Sequence, residues 1–240
     1  MPIPTTSMNS RAALLLVALA IRSIPLAAQA GAADAVTRQM SHHGHESEDN
    51  PHLRLSTARP RTAEDSVRGS RLVSTIRREL AKYQDVKVAI ADGYRQFLPN
   101  VVLPVYHFTN NRHGFEAAFA FDPAKPTSLL YRKNGDGSFT LTGVMYTAPA
   151  VLGEQRLEPR IPLGLARWHQ HTNWCLPKQG EESRWLETRD GKPVFGPESP
   201  IASADECAAV RGRFFPRLFG WMVHVNAFES DDPAVIWSHQ

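Results

Sequence analysis

Leu129-Leu130-Tyr131-Arg132-Lys133-Asn134-Gly135-Asp136-Gly137-Ser138-Phe139-Thr140-Leu141-Thr142-Gly143-Val144-Met145-Tyr146 decides the fold. Its two flanks are rich in aromatic and aliphatic side chains that suit a pleated, half-buried surface. The Asn-Gly-Asp-Gly between them supplies residues that tolerate positive φ, the chemistry of a tight turn. The stretch therefore reads as a β-hairpin, with Phe139, Leu141 and Met145 alternating on one face.

Working outward, four more short segments carry strand composition between Pro and Gly punctuation: Val101 to Thr109, Phe115 to Phe121, Leu165 to Trp174 and Trp221 to Phe228. So many strands without helices between them predict an antiparallel sheet that must close or stack to cover its core. The chain before Pro99 is different. From Ser66, the residues Leu72, Ile76, Leu80 and Tyr83 form one apolar stripe while Arg71, Arg77, Arg78 and Lys82 keep the other face wet. A second short helix starts at Asp85 as N-cap, buries Val86, Ala89 and Ile90, and stops at Gly93. The fold class is thus α+β: N-terminal helices followed by a mainly antiparallel β-sheet or barrel. No internal repeat is present.

The 240 residues, 42% hydrophobic and 21% charged, suffice for one globular domain with a real core. Residues 11–30 have a basic start at Arg11, an apolar run from Ala12 to Ile21 and the small-x-small ending Ala28-Gln29-Ala30, the pattern of a secretory signal cleaved after Ala30. The expected organisation is a signal peptide over 1–30, a disordered polar leader over 31–64 and a single globular domain over 65–240. The leader contains His42-His43-Gly44-His45, a cluster without fixed geometry in a flexible tract. Removing residues 1–30 takes Arg11 and Arg22 and no acid, leaving 25 Lys and Arg against 24 Asp and Glu. That near-neutral balance gives no electrostatic reason to expect nucleic acid or an anionic membrane as partner. After signal cleavage no membrane insertion is expected, and the protein is placed in a secreted or periplasmic compartment. Cys175 and Cys207 are the two cysteines of the chain. In an oxidising compartment they are expected to form a disulfide that pins the polar segment from Lys178 to Ala208.

The chemistry of the chain lies in its histidines. His169 and His171 in Trp168-His169-Gln170-His171 share one face of a strand, with Cβ atoms about 7 Å apart, a separation at which two imidazoles can chelate one ion. His224, in the apolar strand Met222-Val223-His224-Val225-Asn226, shares its face with Asn226 and needs a partner. His107 sits between two aromatics in Tyr106-His107-Phe108. Each alone reads as a core histidine bonded to a backbone carbonyl. Together they form a candidate site for one transition metal ion, Zn, Cu, Fe or Mn, with His107 as fourth ligand. Glu116, Glu154, Glu158 and Glu229 are the candidate carboxylates to complete the shell. His113, in Asn110-Asn111-Arg112-His113-Gly114, reads as a solvated imidazole in a turn. No G-x-S-x-G elbow, phosphate-binding Gly-rich loop or H-E-x-x-H helix is present. Trp168, Trp174, Trp185, Trp221 and Trp237 suit either a ligand pocket or the core.

Two resemblances rest on these residues. Asp85 to Tyr94, then His107, then Phe121-Asp122-Pro123-Ala124-Lys125-Pro126 with Leu129-Leu130-Tyr131, and finally His224-Val225, resemble a family of uncharacterised secreted bacterial proteins. The chain departs from that pattern at Val105 and Asn226, and the resemblance implies no activity. Gly164 before His169 and His171, and Gly212, Pro216 and Gly220 before His224, resemble the motif order of cupins, though with other spacings and without a glutamate before Glu181. That resemblance implies a cupin-like, metal-binding β-architecture. Two functions remain open: a secreted or periplasmic transition-metal-binding protein, catalytic only if a coordination position stays open to water, and a metal-free extracytoplasmic binding or structural module. The partner is accordingly a metal or an unidentified small molecule.

Overall fold

The computed structural model describes residues 50–97, 99 and 103–238. The expected signal peptide, most of the leader with its histidine cluster, and His239 lie outside the described residues. The α+β expectation holds. Among the described residues an eight-stranded, mainly antiparallel sheet runs in the order β1-β6-β10-β5-β4-β3-β2, with β9 pairing β6. Its strands are β1 (Leu53–Leu55), β2 (Arg95–Gln96), β3 (Tyr106–Thr109), β4 (Ser128–Lys133), β5 (Phe139–Ala148), β6 (His169–Leu176), β9 (Arg213–Arg217) and β10 (Trp221–Val225). The sheet is open rather than closed into a barrel. A separate ribbon joins β7 (Thr188–Arg189) to β8 (Lys192–Pro193).

One face of the sheet is covered by α1 (Ala63–Leu80) and α2 (Val86–Ala91). Thr62 caps α1 in a reciprocal capping box with Asp65, which starts the helix three residues ahead of the sequence expectation. Val73, Ile76, Leu80 and Tyr83 form its buried stripe, with Leu72 at the edge. Asp85 caps α2 as expected and Gly93 ends it at φ 96°, but Ile90 faces solvent and only Ala89 is fully buried. Trp168, Trp221 and Trp237 belong to this core, as do Tyr106 and Phe108 on either side of His107.

Three expectations need correction. Residues 50–62, assigned to a disordered leader, are ordered: β1 pairs β6 with Leu53 opposite His171 and Leu55 opposite His169. His52 is buried there, with Nε2 2.5 Å from the Ser199 carbonyl oxygen. Phe115 to Phe121 is not a strand. Asn110 caps a short helix, α3 (Asn111–Glu116), through Oδ1 to the amides of Arg112 and His113, so capping outweighs the aromatic composition. The third concerns the deciding hairpin, which forms as read but carries a β-bulge. Leu130 opposes Gly143 and Tyr131 opposes Leu141, leaving Thr142 unopposed. One extra residue flips the alternation. Phe139 and Leu141 therefore face the helices with Val144 and Tyr146, while Met145 faces the other side beside Leu130.

Cys175 and Cys207 form the expected disulfide, spanning 32 positions. It pins an excursion with its own small core of Val194, Phe195, Ile201 and Val210 around the bridge. No helix among the described residues is long and apolar enough to cross a membrane.

Candidate functional site: a row of imidazoles on the open face

Strand alternation carries the site. Tyr106 and Phe108 turn to the helices, so His107 must turn away. Val223 and Val225 do the same for His224, and buried Gln170 lies between His169 and His171. The register confirms a shared face: His107 lies opposite Leu130, His224 opposite Met145, and Met222 opposite His169.

Side chains from distant strands meet on this face. β10 and β3 are separated by β5 and β4, about 14 Å in a flat sheet. Yet the rings of His107 and His224 have centroids 5.6 Å apart. The sheet must therefore curl, with these side chains on the concave side. The row continues from His224 to His169 at 5.3 Å and from His169 to His171 at 5.5 Å. Two imidazoles bound through nitrogen to one ion at about 2.0–2.1 Å place their centroids about 5–5.5 Å apart, so each neighbouring pair has a chelating separation. The ring contacts run from His107 through His224 and His169 to His171, and among the described residues no three His, Cys, Asp or Glu side chains converge as ligands of one ion. His169 is 2% and His224 9% exposed, whereas His107 and His171 are half-buried toward the ends of the row.

The bulge in the hairpin brings Met145 to this face, where it packs with Leu130, Met222 and Val105. At the other end, Asn173 takes φ 57° and interrupts the β6 ladder, since Thr172 and Trp174 keep partners on β9 and Asn173 does not. The kink sets the Trp174 ring against His171 at 5.1 Å. Phe219 also contacts His171, at 6.3 Å, and Phe97 packs edge-on to Phe219. Trp174 was read from the sequence as pocket or core alike, whereas Phe97, Phe219 and the two methionines were not picked out as site residues. A Gly after Thr142 was the one available signal for the bulge, and an Asn in mid-strand for the kink.

The carboxylates nominated for the shell are engaged elsewhere. Glu116 binds Arg112 and Lys125, which hold its pKa down at about 2. Glu154 accepts from the amide and hydroxyl of Thr57, Glu158 from Arg59, Arg68 and the Leu163 amide, and Glu229 from Arg132. Asn226 leaves the strand and donates through Nδ2 to the carbonyls of Val235 and Ser238, fastening the C-terminal turn. His113 is not a solvated turn residue. It lies in α3 with Nδ1 3.1 Å from the Tyr94 hydroxyl, and burial pulls its pKa down. An open depression of about 460 Å³ beside Asp92, Gly93, Arg95 and Arg112 lies away from the histidine row and holds no comparable donor set.

Comparison with protein-family models, with curated proteins and with solved structures found no match to this chain.

Proposed function

We propose that this is a secreted or periplasmic protein that binds one transition metal ion on the concave sheet face, through His169 and His224 with His107 and His171 at either end. The observation that supports the reading is the continuous row of four imidazoles, each neighbouring pair at chelating separation, assembled from three non-consecutive strands. Packing alone has no need to gather four polar rings, two of them buried, on one face of a sheet. The disulfide supports the oxidising compartment. A metal-free module is the competing reading, favoured by the finding that no three His, Cys, Asp or Glu side chains converge on one point among the described residues. Ring rotation about χ2 on loading would separate the two.

Mature protein loaded in turn with Zn, Cu, Fe and Mn and then desalted is expected to retain close to one equivalent of at least one ion. His169→Ala or His224→Ala is expected to lower affinity at least tenfold, as loss of a ligand or its support does. A bound ion at a hundred times its Kd adds about 2.7 kcal/mol of stability, visible as a rise in Tm. Retention far below one equivalent for every ion, or full retention by both variants, would overturn the proposal.

A further inference from the structure

Two thioethers stand on the same face as the imidazole row, each opposite one of its central members. Met145 is the cross-strand partner of His224, and Met222 is the partner of His169. Directly opposed residues of antiparallel strands have Cβ atoms about 4.5–5.5 Å apart, within reach of a flexible methionine. Met222 and His224 are alternate residues of β10 and so share its face. The centre of the site is thus a patch of His169, Met222, His224 and Met145. All four are buried: Met145 is 8% and Met222 7% exposed. Met145 reaches this patch because the unopposed Thr142 shifts the alternation of β5.

We infer that the ion this site selects is Cu(I), held by His169 and His224 together with Met145 or Met222 or both. Thioether sulfur is a soft donor that favours Cu(I), while Zn, Fe and Mn draw on imidazole, thiolate or carboxylate. The geometry agrees with that chemistry on two counts. Cu(I) is satisfied by two or three ligands, which suits a site where no three His, Cys, Asp or Glu side chains converge. A structural Zn site asks for four such donors. The four nominated carboxylates, hard donors that would suit Mn or Fe, are spent on Arg, Lys and backbone partners away from the row. The bland role for both methionines is filling space beside Leu130, a use that their flexibility suits well.

The inference rests on the metal-binding reading, and one experiment separates their failures. The full mature chain, its Met145→Leu/Met222→Leu variant and His169→Ala are titrated with Cu(I), kept reduced by ascorbate under argon, against bicinchoninate. Parallel titrations use Zn(II) against a chromophoric chelator. Leu replaces Met at nearly constant volume, so the double variant keeps the fold, checked by circular dichroism and Tm. The expected result is Cu(I) affinity at least tenfold weaker in the double variant, with Zn(II) affinity changed less than twofold, and both weakened in His169→Ala. A double variant that binds Cu(I) as tightly as the parent overturns the copper assignment while leaving a metal site in place. A parent chain that binds neither Cu(I) nor any of Zn, Cu(II), Fe and Mn overturns both.

Discussion

His113 and His169 differ in what surrounds their rings. His113 packs edge-on to Tyr94 at 5.5 Å and places Nδ1 near the Tyr94 hydroxyl and the Pro126 carbonyl. Its burial favours the neutral ring, so its folded pKa lies below the unfolded value. The contribution is present above about pH 6.5 and is lost as pH falls through the depressed folded value. His113→Ala is expected to cost about 1 kcal/mol of stability, as for one lost hydrogen bond, and to leave metal content unchanged. Metal analysis and thermal unfolding of one preparation check both parts, and loss of metal at this position would move the site. The histidines of the row were legible in the sequence because strand alternation follows from neighbouring apolar residues: Tyr106 and Phe108 dictate the side on which His107 stands. Met145 was not legible. Its side of the sheet depends on a bulge that only the partner strand defines.

At the scale of elements, local chemistry was readable where it closes on itself and lost where a distant strand decides. The hairpin pairing, the α1 stripe and the α2 caps are local and formed as expected, the bulge in the hairpin apart. β9 went unseen because Pro216 argues against a strand, though Pro is tolerated at a sheet edge, and β1 went unseen because three polar-flanked residues carry no periodicity. The α3 segment was not legible because its aromatic composition suits a strand while the Asn110 cap fixes a helix, and Phe115 in it and Phe119 just beyond it stand exposed, ring against ring. The bulge makes its own prediction. A Cβ on Gly143 would lie 2.6 Å from the Val225 carbonyl oxygen and 2.9 Å from the Asn226 Cα, both backbone atoms with no freedom to yield. Gly143→Ala is expected to destabilise the protein by about 2 kcal/mol, the scale of overpacking in a core. Denaturant unfolding measures it, and a neutral result would mean that β5 and β10 are farther apart than described.

Across the whole molecule, one buried carboxylate links the N-terminal segment to the body. Arg59 donates to both oxygens of Asp65 and reaches Glu158, which also takes Arg68 and the Leu163 amide. Gly164 leaves room for this junction, since a Cβ there would meet Arg59 and Asp65. The Arg59 hydrogen bonds hold the Asp65 carboxyl well below the usual range. A depressed folded pKa gives stability that is full above about pH 4 and lost as pH falls further. Asp65→Asn is therefore expected to lower Tm at neutral pH by several degrees and to flatten the decline of Tm between roughly pH 5 and pH 2. Parallel pH profiles for parent and variant would remove Asp65 from the acid response. The same N-terminal segment sets an order of assembly. Pro51 meets Thr172 across 121 positions of sequence, a long loop to close. Closure entropy for such a loop favours docking of β1 onto a β6 already held by β10 and β9, an order that pulsed hydrogen exchange at the Leu53–Leu55 amides would test. On that expectation the first described strand of the chain joins the sheet late. Its pairing with His171 and His169 then completes the flank of the histidine pair after β6 itself is in place.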